Sequence, residues 1–136
     1  MERIQGNGEH VLVVEDDQTV RNMITQMVRY LGYSVAAVAS GEEAVRYLRR
    51  NQAHLVMLDM QMSPGRNGRE TYEEILVIRP GQRAIVVSGY ADSAEIDRAM
   101  ELGVSLFVEK PFTLHELGAA IKTALAGNEA GGAGLL

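Results

Sequence analysis

The chain has 136 residues, of which 46% are hydrophobic, and this size and composition suit one domain that buries its own core. It contains no cysteine, which excludes disulfides, thiolate metal sites and cysteine nucleophiles. The net charge is −5 and no tryptophan or basic run is present, which argues against direct contact with nucleic acid. We find no apolar run near the ~18 residues of a membrane span and no signal-peptide pattern, so we expect a cytoplasmic protein without direct membrane contact.

Short apolar runs rich in β-branched residues alternate with segments of helical periodicity along the chain. The runs predicted as strands are 11–14, 33–38, 55–58, 84–87 and 104–108, of which 33–38 is the weakest. In the segments between them, apolar residues recur every three or four positions, which predicts one helix after each strand. Ser40–Glu43 and Thr113–Glu116 have the spacing of capping boxes and predict two of the helix starts.

This alternation predicts an α/β protein. Near-continuous apolar strands are typical of a parallel sheet covered on both faces, and right-handed connections then give a three-layer sandwich with five strands and five helices. The weak second strand is expected at an edge of the sheet. We expect the domain to span residues 9–126, after a polar lead-in over 1–8, and residues 127–136, rich in Gly and Ala, to form a flexible tail.

Polar residues follow four of the predicted strands, at the edge where parallel strands share their carboxyl ends. The first strand ends in Glu15 and Asp16, the third in Asp59, the fourth in Ser88 and the fifth shortly before Lys110. Crowded carboxylates repel one another unless a cation neutralises them, and oxygen ligands favour Mg²⁺ or Mn²⁺. A carboxylate held beside a metal, a lysine and a hydroxyl can also accept a phosphoryl group.

Four motifs carry a family resemblance: VLVVEDDQTVR, LVMLDMQMSPGRNG, AIVVSGY and LFVEKPF. Together they resemble the receiver domain of two-component response regulators, and the VVSGYA and KPF endings resemble receivers of hybrid sensor histidine kinases. The resemblance implies a flavodoxin-like fold with strand order 2-1-3-4-5. It implies a signalling domain of a phosphorelay, rather than an enzyme with a separate substrate. A histidine kinase or histidine phosphotransfer domain would supply the phosphoryl group from phosphohistidine.

The resemblance also implies the role of each residue at the acidic edge. Asp59 would accept the phosphoryl group, and Asp16 would bind Mg²⁺ directly together with Asp59. Glu15 would contribute to the metal site through water, and the backbone carbonyl of Gln61 would complete the protein's ligands. Lys110 would contact the phosphoryl oxygens, and its peptide bond to the following proline is often cis in the family.

A conformational switch is part of the same resemblance. Ser88 would bind the phosphoryl group and move towards it, and Phe107, at the family's aromatic switch position, would turn inward. Gln61 and Tyr90 occupy positions that tune dephosphorylation. The change would reach the surface of the fourth helix, fifth strand and fifth helix, through which a dimer could also form.

Two features near the acids have more ordinary interpretations. Asp17 is third in the acidic run, and we expect it to cap the first helix rather than bind metal. Pro64 and Gly68 lie five and nine residues after Asp59, where receivers commonly have four and eight. This extra residue is expected to be harmless, because a loop accommodates one insertion at little entropic cost.

Three other functions fit parts of the pattern. A haloacid dehalogenase-like hydrolase would place a second Asp two residues after its nucleophile, where this chain has Gln61. A flavodoxin-like cofactor binder would need a phosphate loop where the first strand ends in acids. A receiver that only docks partner proteins would need none of the site residues, although the longer loop after Asp59 keeps that alternative open.

Overall fold

The computed structural model describes residues 5–62, 67–89 and 93–133, with side chains described as far as residue 126. The strands are β1 (His10–Val14), β2 (Ser34–Val38), β3 (Leu55–Asp59), β4 (Ala84–Ser88) and β5 (Leu106–Glu109). The helices are α1 (Gln18–Tyr30), α2 (Gly41–Arg50), α3 (Gly68–Ile78), α4 (Ser93–Leu102) and α5 (Leu114–Ala133). All five strands pair in parallel in the order β2-β1-β3-β4-β5, which confirms the flavodoxin-like topology.

Two hydrophobic clusters cover the two faces of the sheet. Side chains alternate between the faces along each strand, so that Val11 and Val13 join one cluster while Leu12 and Val14 join the other. The first cluster contains residues of α1 and α5, and the second contains residues of α2, α3 and α4. Because both faces are buried, the inner strands are apolar except at their ends, which is the pattern that predicted a parallel sheet.

Two element boundaries differ from the predictions, namely the start of β5 and the end of α5. The fifth strand begins at Leu106 rather than at residue 104, because the N–H of Val104 donates to Ala99 at the end of α4. Gly103 makes the turn there with a φ of 115°. Helix α5 continues to Ala133, past the expected domain end at residue 126. The division into lead-in, domain and tail stays a prediction.

The two capping boxes predicted from sequence have different outcomes. Thr113 and Glu116 form a complete box, with bonds of 2.8 and 3.0 Å in both directions. At α2 the Ser40 hydroxyl accepts from the N–H of Glu43, as expected. The Glu43 carboxylate, however, accepts from the N–H of Ala39 rather than from that of Ser40, so this half of the prediction is wrong.

Within the described part of the chain, no helix is long and apolar enough to cross a membrane.

Candidate functional site

Three carboxylates meet at the carboxyl edge of the sheet. Glu15 and Asp16 directly follow β1, and Asp59 is the last residue of the neighbouring strand β3. One oxygen of each carboxylate can be chosen so that all three atoms lie within 4.8 Å of one another. Glu15 and Asp59 are buried, with exposed fractions of 3% and 6%. The convergence expected from the sequence is therefore present.

Lys110 supplies a positive charge to this cluster from the loop after β5. Its Nζ lies 3.0 Å from Oε1 of Glu15 and 3.8 Å from Oδ1 of Asp59. Its backbone N–H donates to the carbonyl of Ser88, which fixes the start of the loop against the end of β4. The peptide bond from Lys110 to Pro111 is cis, as the resemblance implied.

The surroundings of Asp59 favour its protonated form. Burial makes the largest contribution, and together with the negative charge of Glu15 it raises the pKa of this carboxyl to about 7. The Lys110 ammonium and the N–H of Gln61, which donates to Oδ1 of Asp59 at 3.2 Å, oppose that shift. One lysine therefore does not balance the charge of the buried acids.

The loop between β1 and α1 is held by its own side chains. Oδ1 of Asp17 accepts from the N–H of Val20, which confirms Asp17 as the N-cap of α1. The N–H of Asp17 donates in turn to Oε2 of Glu15 at 3.2 Å. Arg21 donates to the backbone carbonyls of Glu15 at 3.0 Å and Asp16 at 3.4 Å. These contacts of Arg21 were not predicted from the sequence.

Gly68 closes the base of the loop that follows Asp59. Its N–H donates to the carbonyl of Met60 at 3.1 Å. A Cβ at this position would lie 2.8 Å from the backbone oxygen of Asp59 and 3.0 Å from Cα of Met60, so a side chain would displace the backbone of the site. Only glycine permits this close approach of α3 to the end of β3.

Two of the remaining predicted residues, Ser88 and Phe107, lie on the strands β4 and β5. Ser88 is buried at the end of β4, with 1% exposed, beside the strand that carries Asp59. Phe107 is partly buried in β5 and packs against the cluster on the α2–α4 side of the sheet. Tyr90 and the loop residue Pro64 lie outside the described residues, so their expected roles stay predictions.

The acidic cluster fits a hard divalent cation. Its three donors are carboxylate oxygens at the edge of a parallel sheet, which is the donor type and position that Mg²⁺ or Mn²⁺ prefers. Burial keeps two of the carboxylates away from competing water, and their mutual repulsion is relieved only by positive charge.

Comparison with known proteins agrees with this fold and identifies the family. The family described as response regulator receiver domain matches residues 11–122, and the chain belongs to that family. It is a receiver domain of two-component signalling, a class of phosphoacceptor domains that work with histidine kinases or phosphotransfer proteins. This membership removes the hydrolase and the flavodoxin-like cofactor binder as alternatives.

Two relatives are close to this chain in length, and the matched region covers most of each. Chemotaxis protein CheY of Thermotoga maritima is 34% identical over 77% of this chain and 88% of that protein. Sporulation initiation phosphotransferase F of Bacillus subtilis is 30% identical over 84% of this chain and 91% of that protein. Other relatives are larger: the chain spans 24% of the DNA-binding transcriptional regulator NtrC of Azospirillum brasilense.

Solved structures show the same architecture. A CheY-like receiver domain protein from Methanospirillum hungatei superimposes with a TM-score of 0.84 at 26% identity, over 90% of this chain and 98% of that one. The receiver domain of sensor histidine kinase PA1611 from Pseudomonas aeruginosa has a TM-score of 0.78 at 27% identity, over 88% of this chain and 98% of that one. The latter structure has a magnesium ion coordinated in its active site cleft.

Proposed function

We propose that this chain accepts a phosphoryl group from a phosphohistidine onto Asp59, with Mg²⁺ bound, and changes conformation to pass on the signal. The observation that carries the proposal is the convergence of three carboxylates with the Lys110 ammonium at one edge of the sheet. The magnesium in the cleft of the PA1611 receiver domain supports the choice of metal. We expect Mn²⁺ to substitute for it.

Each acidic residue has a distinct task in this proposal. A carboxylate oxygen of Asp59 attacks phosphorus, the bond from phosphorus to the histidine nitrogen breaks, and the leaving nitrogen keeps the electron pair. Asp16 and Asp59 would hold the metal directly, Glu15 would contribute through water, and the backbone carbonyl of Gln61 would complete the protein's ligands. When bound, Mg²⁺ supplies positive charge that offsets the phosphoryl oxygens. Attack of water on the acyl phosphate later releases phosphate and restores Asp59.

Lys110 changes partners in the course of this reaction. In the structure its ammonium is shared between Glu15 and Asp59, at 3.0 and 3.8 Å. Once the phosphoryl group is on Asp59, its oxygens carry more negative charge at the same place, and Lys110 turns to them. Glu15, freed from the lysine, keeps the hydrogen bond from the N–H of Asp17.

The proposed switch uses residues on two further strands. Ser88 moves to donate its hydroxyl hydrogen to a phosphoryl oxygen, and Phe107 turns inward to report the change on the face of α4, β5 and α5. Gln61 and Tyr90 set the rate of dephosphorylation. The same face is proposed for dimer formation. We propose a cytoplasmic location, a histidine kinase or histidine phosphotransfer domain as donor, and, as one arrangement, the receiver part of a hybrid kinase.

Intact-protein mass after incubation with acetyl phosphate tests the proposal. We expect the wild type to gain one phosphoryl group only with Mg²⁺, and Asp59→Asn to gain none, because an amide cannot form the acyl phosphate. Asp17→Asn is the matched control, since it also removes one acidic charge nearby but keeps the helix cap, and it should be phosphorylated as the wild type is. An adduct on Asp59→Asn, or none on the wild type, would refute the assignment.

A further inference from the structure

The first turns of α3 and α4 are joined by a small polar cluster, here named the α3–α4 tether and consisting of Asn67, Arg69 and Glu95. Oε1 of Glu95 accepts from Nε of Arg69 at 2.7 Å and from Nδ2 of Asn67 at 3.3 Å. The Arg69 and Glu95 side chains are only 18% and 22% exposed. The hydrogen bond from Arg69 lowers the pKa of Glu95, so the carboxylate stays ionised at neutral pH.

Asn67 serves both helices at once. Its Oδ1 accepts from the N–H of Glu70 at 2.8 Å and caps α3, while the opposite end of the same amide donates to α4. The Glu70 carboxylate accepts from the backbone N–H of Asn67 at 3.0 Å, which completes a capping box that was not predicted from the sequence. The tether is therefore anchored rigidly at its α3 end.

The tether lies where the two segments that leave the site become helical. On the α3 side, Gly68 is bonded to Met60 and packs against the backbone of Asp59. On the α4 side, residues 89–92 are all that separates Ser88 from the first residue of the helix. Ser88 and the first turn of α4 are therefore close to each other along the chain.

Packing alone anchors α4 weakly. Of its ten residues, all of them described, only Ala99 is fully buried, whereas α2 buries four residues over the same length. Ile96 and Leu102 add partly buried contacts to the cluster beneath. The polar contacts of Glu95 therefore add to a small apolar interface.

We propose that the α3–α4 tether holds α4 in the unphosphorylated arrangement and sets the cost of switching. The inference rests on the proposed function, in which Ser88 moves towards a phosphoryl group on Asp59. That movement pulls on the first turn of α4, while Asn67 and Arg69 hold Glu95 in place. The three residues touch no reacting atom, so they are positioning residues. Weakening them shifts the population towards the switched arrangement.

Binding of beryllofluoride with Mg²⁺, followed through the amide NMR signals of Ser88 and Phe107, tests the tether. We expect Glu95→Gln to bind beryllofluoride about 5-fold more tightly than the wild type, because breaking the weakened tether costs less free energy. Its unliganded amide signals should also move towards the liganded positions. Glu73→Gln is the matched control, because Glu73 also pairs with Arg69, at 2.9 Å, but within α3. We expect its affinity to equal that of the wild type.

Asn67→Ser supplies an independent variant in case Glu95→Gln does not fold. Serine is an equally good N-cap, so α3 keeps its start and only the donor to Glu95 is lost. Tighter binding by this variant supports the tether. Equal affinities in Glu95→Gln and Glu73→Gln, or weaker binding in Glu95→Gln or Asn67→Ser, would overturn it. A wild type that binds no beryllofluoride would instead overturn the proposed function, and the tether with it.

Discussion

At the scale of single residues, the environment of Asp59 accounts for the proposed need for a metal. Burial and the neighbouring Glu15 raise the pKa of this carboxyl to about 7, so a proton competes for the carboxylate oxygen that we propose attacks phosphorus. A divalent cation would displace that proton and restore the carboxylate. The excess of negative charge in the buried cluster thus favours the binding of a divalent cation.

The raised pKa predicts a pH-dependent stability in Mg²⁺-free protein. The folded pKa of about 7 lies above the ordinary value of 3.8, so the stability that Asp59 contributes is fully present below pH 4. It is lost as the pH rises through 7. We therefore expect Asp59→Asn to be more stable than the wild type at pH 8, by roughly 2 kcal/mol, with the difference shrinking towards pH 4.

Urea unfolding of both proteins between pH 4 and pH 8, in the presence of a chelator, measures this difference. A gap between the two proteins that does not change with pH would mean that Asp59 titrates normally. Repeating the series with saturating Mg²⁺ is the control, because the metal binds the ionised wild-type carboxyl and should reverse the order of stability at pH 8.

The sequence predicted the acidic centre well at this scale, since Glu15, Asp16 and Asp59 each end a recognisable strand. It did not predict Arg21 on the loop carbonyls or Glu95 between two helices. Those contacts depend on how long side chains cross from one element to another, and no periodicity or spacing in a single sequence encodes such a path.

At the scale of elements, the helix that follows the acidic loop depends on its cap. Asp17 is the N-cap of α1 and its carboxylate accepts from Val20, one residue beyond the proposed metal ligand Asp16. We expect Asp17→Ala to lower the free energy of unfolding by about 1 kcal/mol and Asp17→Ser to change it by only a few tenths. Chemical denaturation of the two variants measures the effect.

The same pair of variants separates capping from metal binding. Because Asp17 lies outside the metal cluster, Asp17→Ser should retain the Mg²⁺ affinity of the wild type in a calorimetric titration. A loss of about tenfold or more in that variant would place Asp17 among the groups that support the metal and would contradict its role as a cap alone.

Strand positions were easier to predict than element ends. Apolar runs such as 55–58 and 84–87 mark the sheet because both of its faces are buried. The strand predicted at 104–108 began too early. Val104 is buried in the turn between α4 and β5, and burial alone does not distinguish a turn residue from a strand residue. The Asn67 cap was missed because no apolar run marks the start of α3.

At the scale of the whole molecule, the candidate site lies at the carboxyl edge of the sheet, and the proposed signalling surface begins close to it. The ends of β1, β3, β4 and the loop after β5 form the site, and the tethered helix α4 lies directly beyond Ser88. The chain spans most of CheY and of sporulation initiation phosphotransferase F, but only 24% of NtrC. Receiver domains thus occur both nearly alone and as part of larger proteins. In the proposed function, the output of this one depends on what its α4–β5–α5 face binds.

Chemical mapping of the phosphorylated residue tests the central claim most directly. Borohydride reduces an aspartyl phosphate to homoserine, so the protein is phosphorylated with acetyl phosphate and Mg²⁺, reduced, digested and sequenced by mass spectrometry. We predict homoserine at position 59 and unmodified aspartate at positions 16 and 17. Homoserine at position 16, or at no position in a protein that has gained a phosphoryl group, would contradict the assignment of Asp59 as the phosphoacceptor.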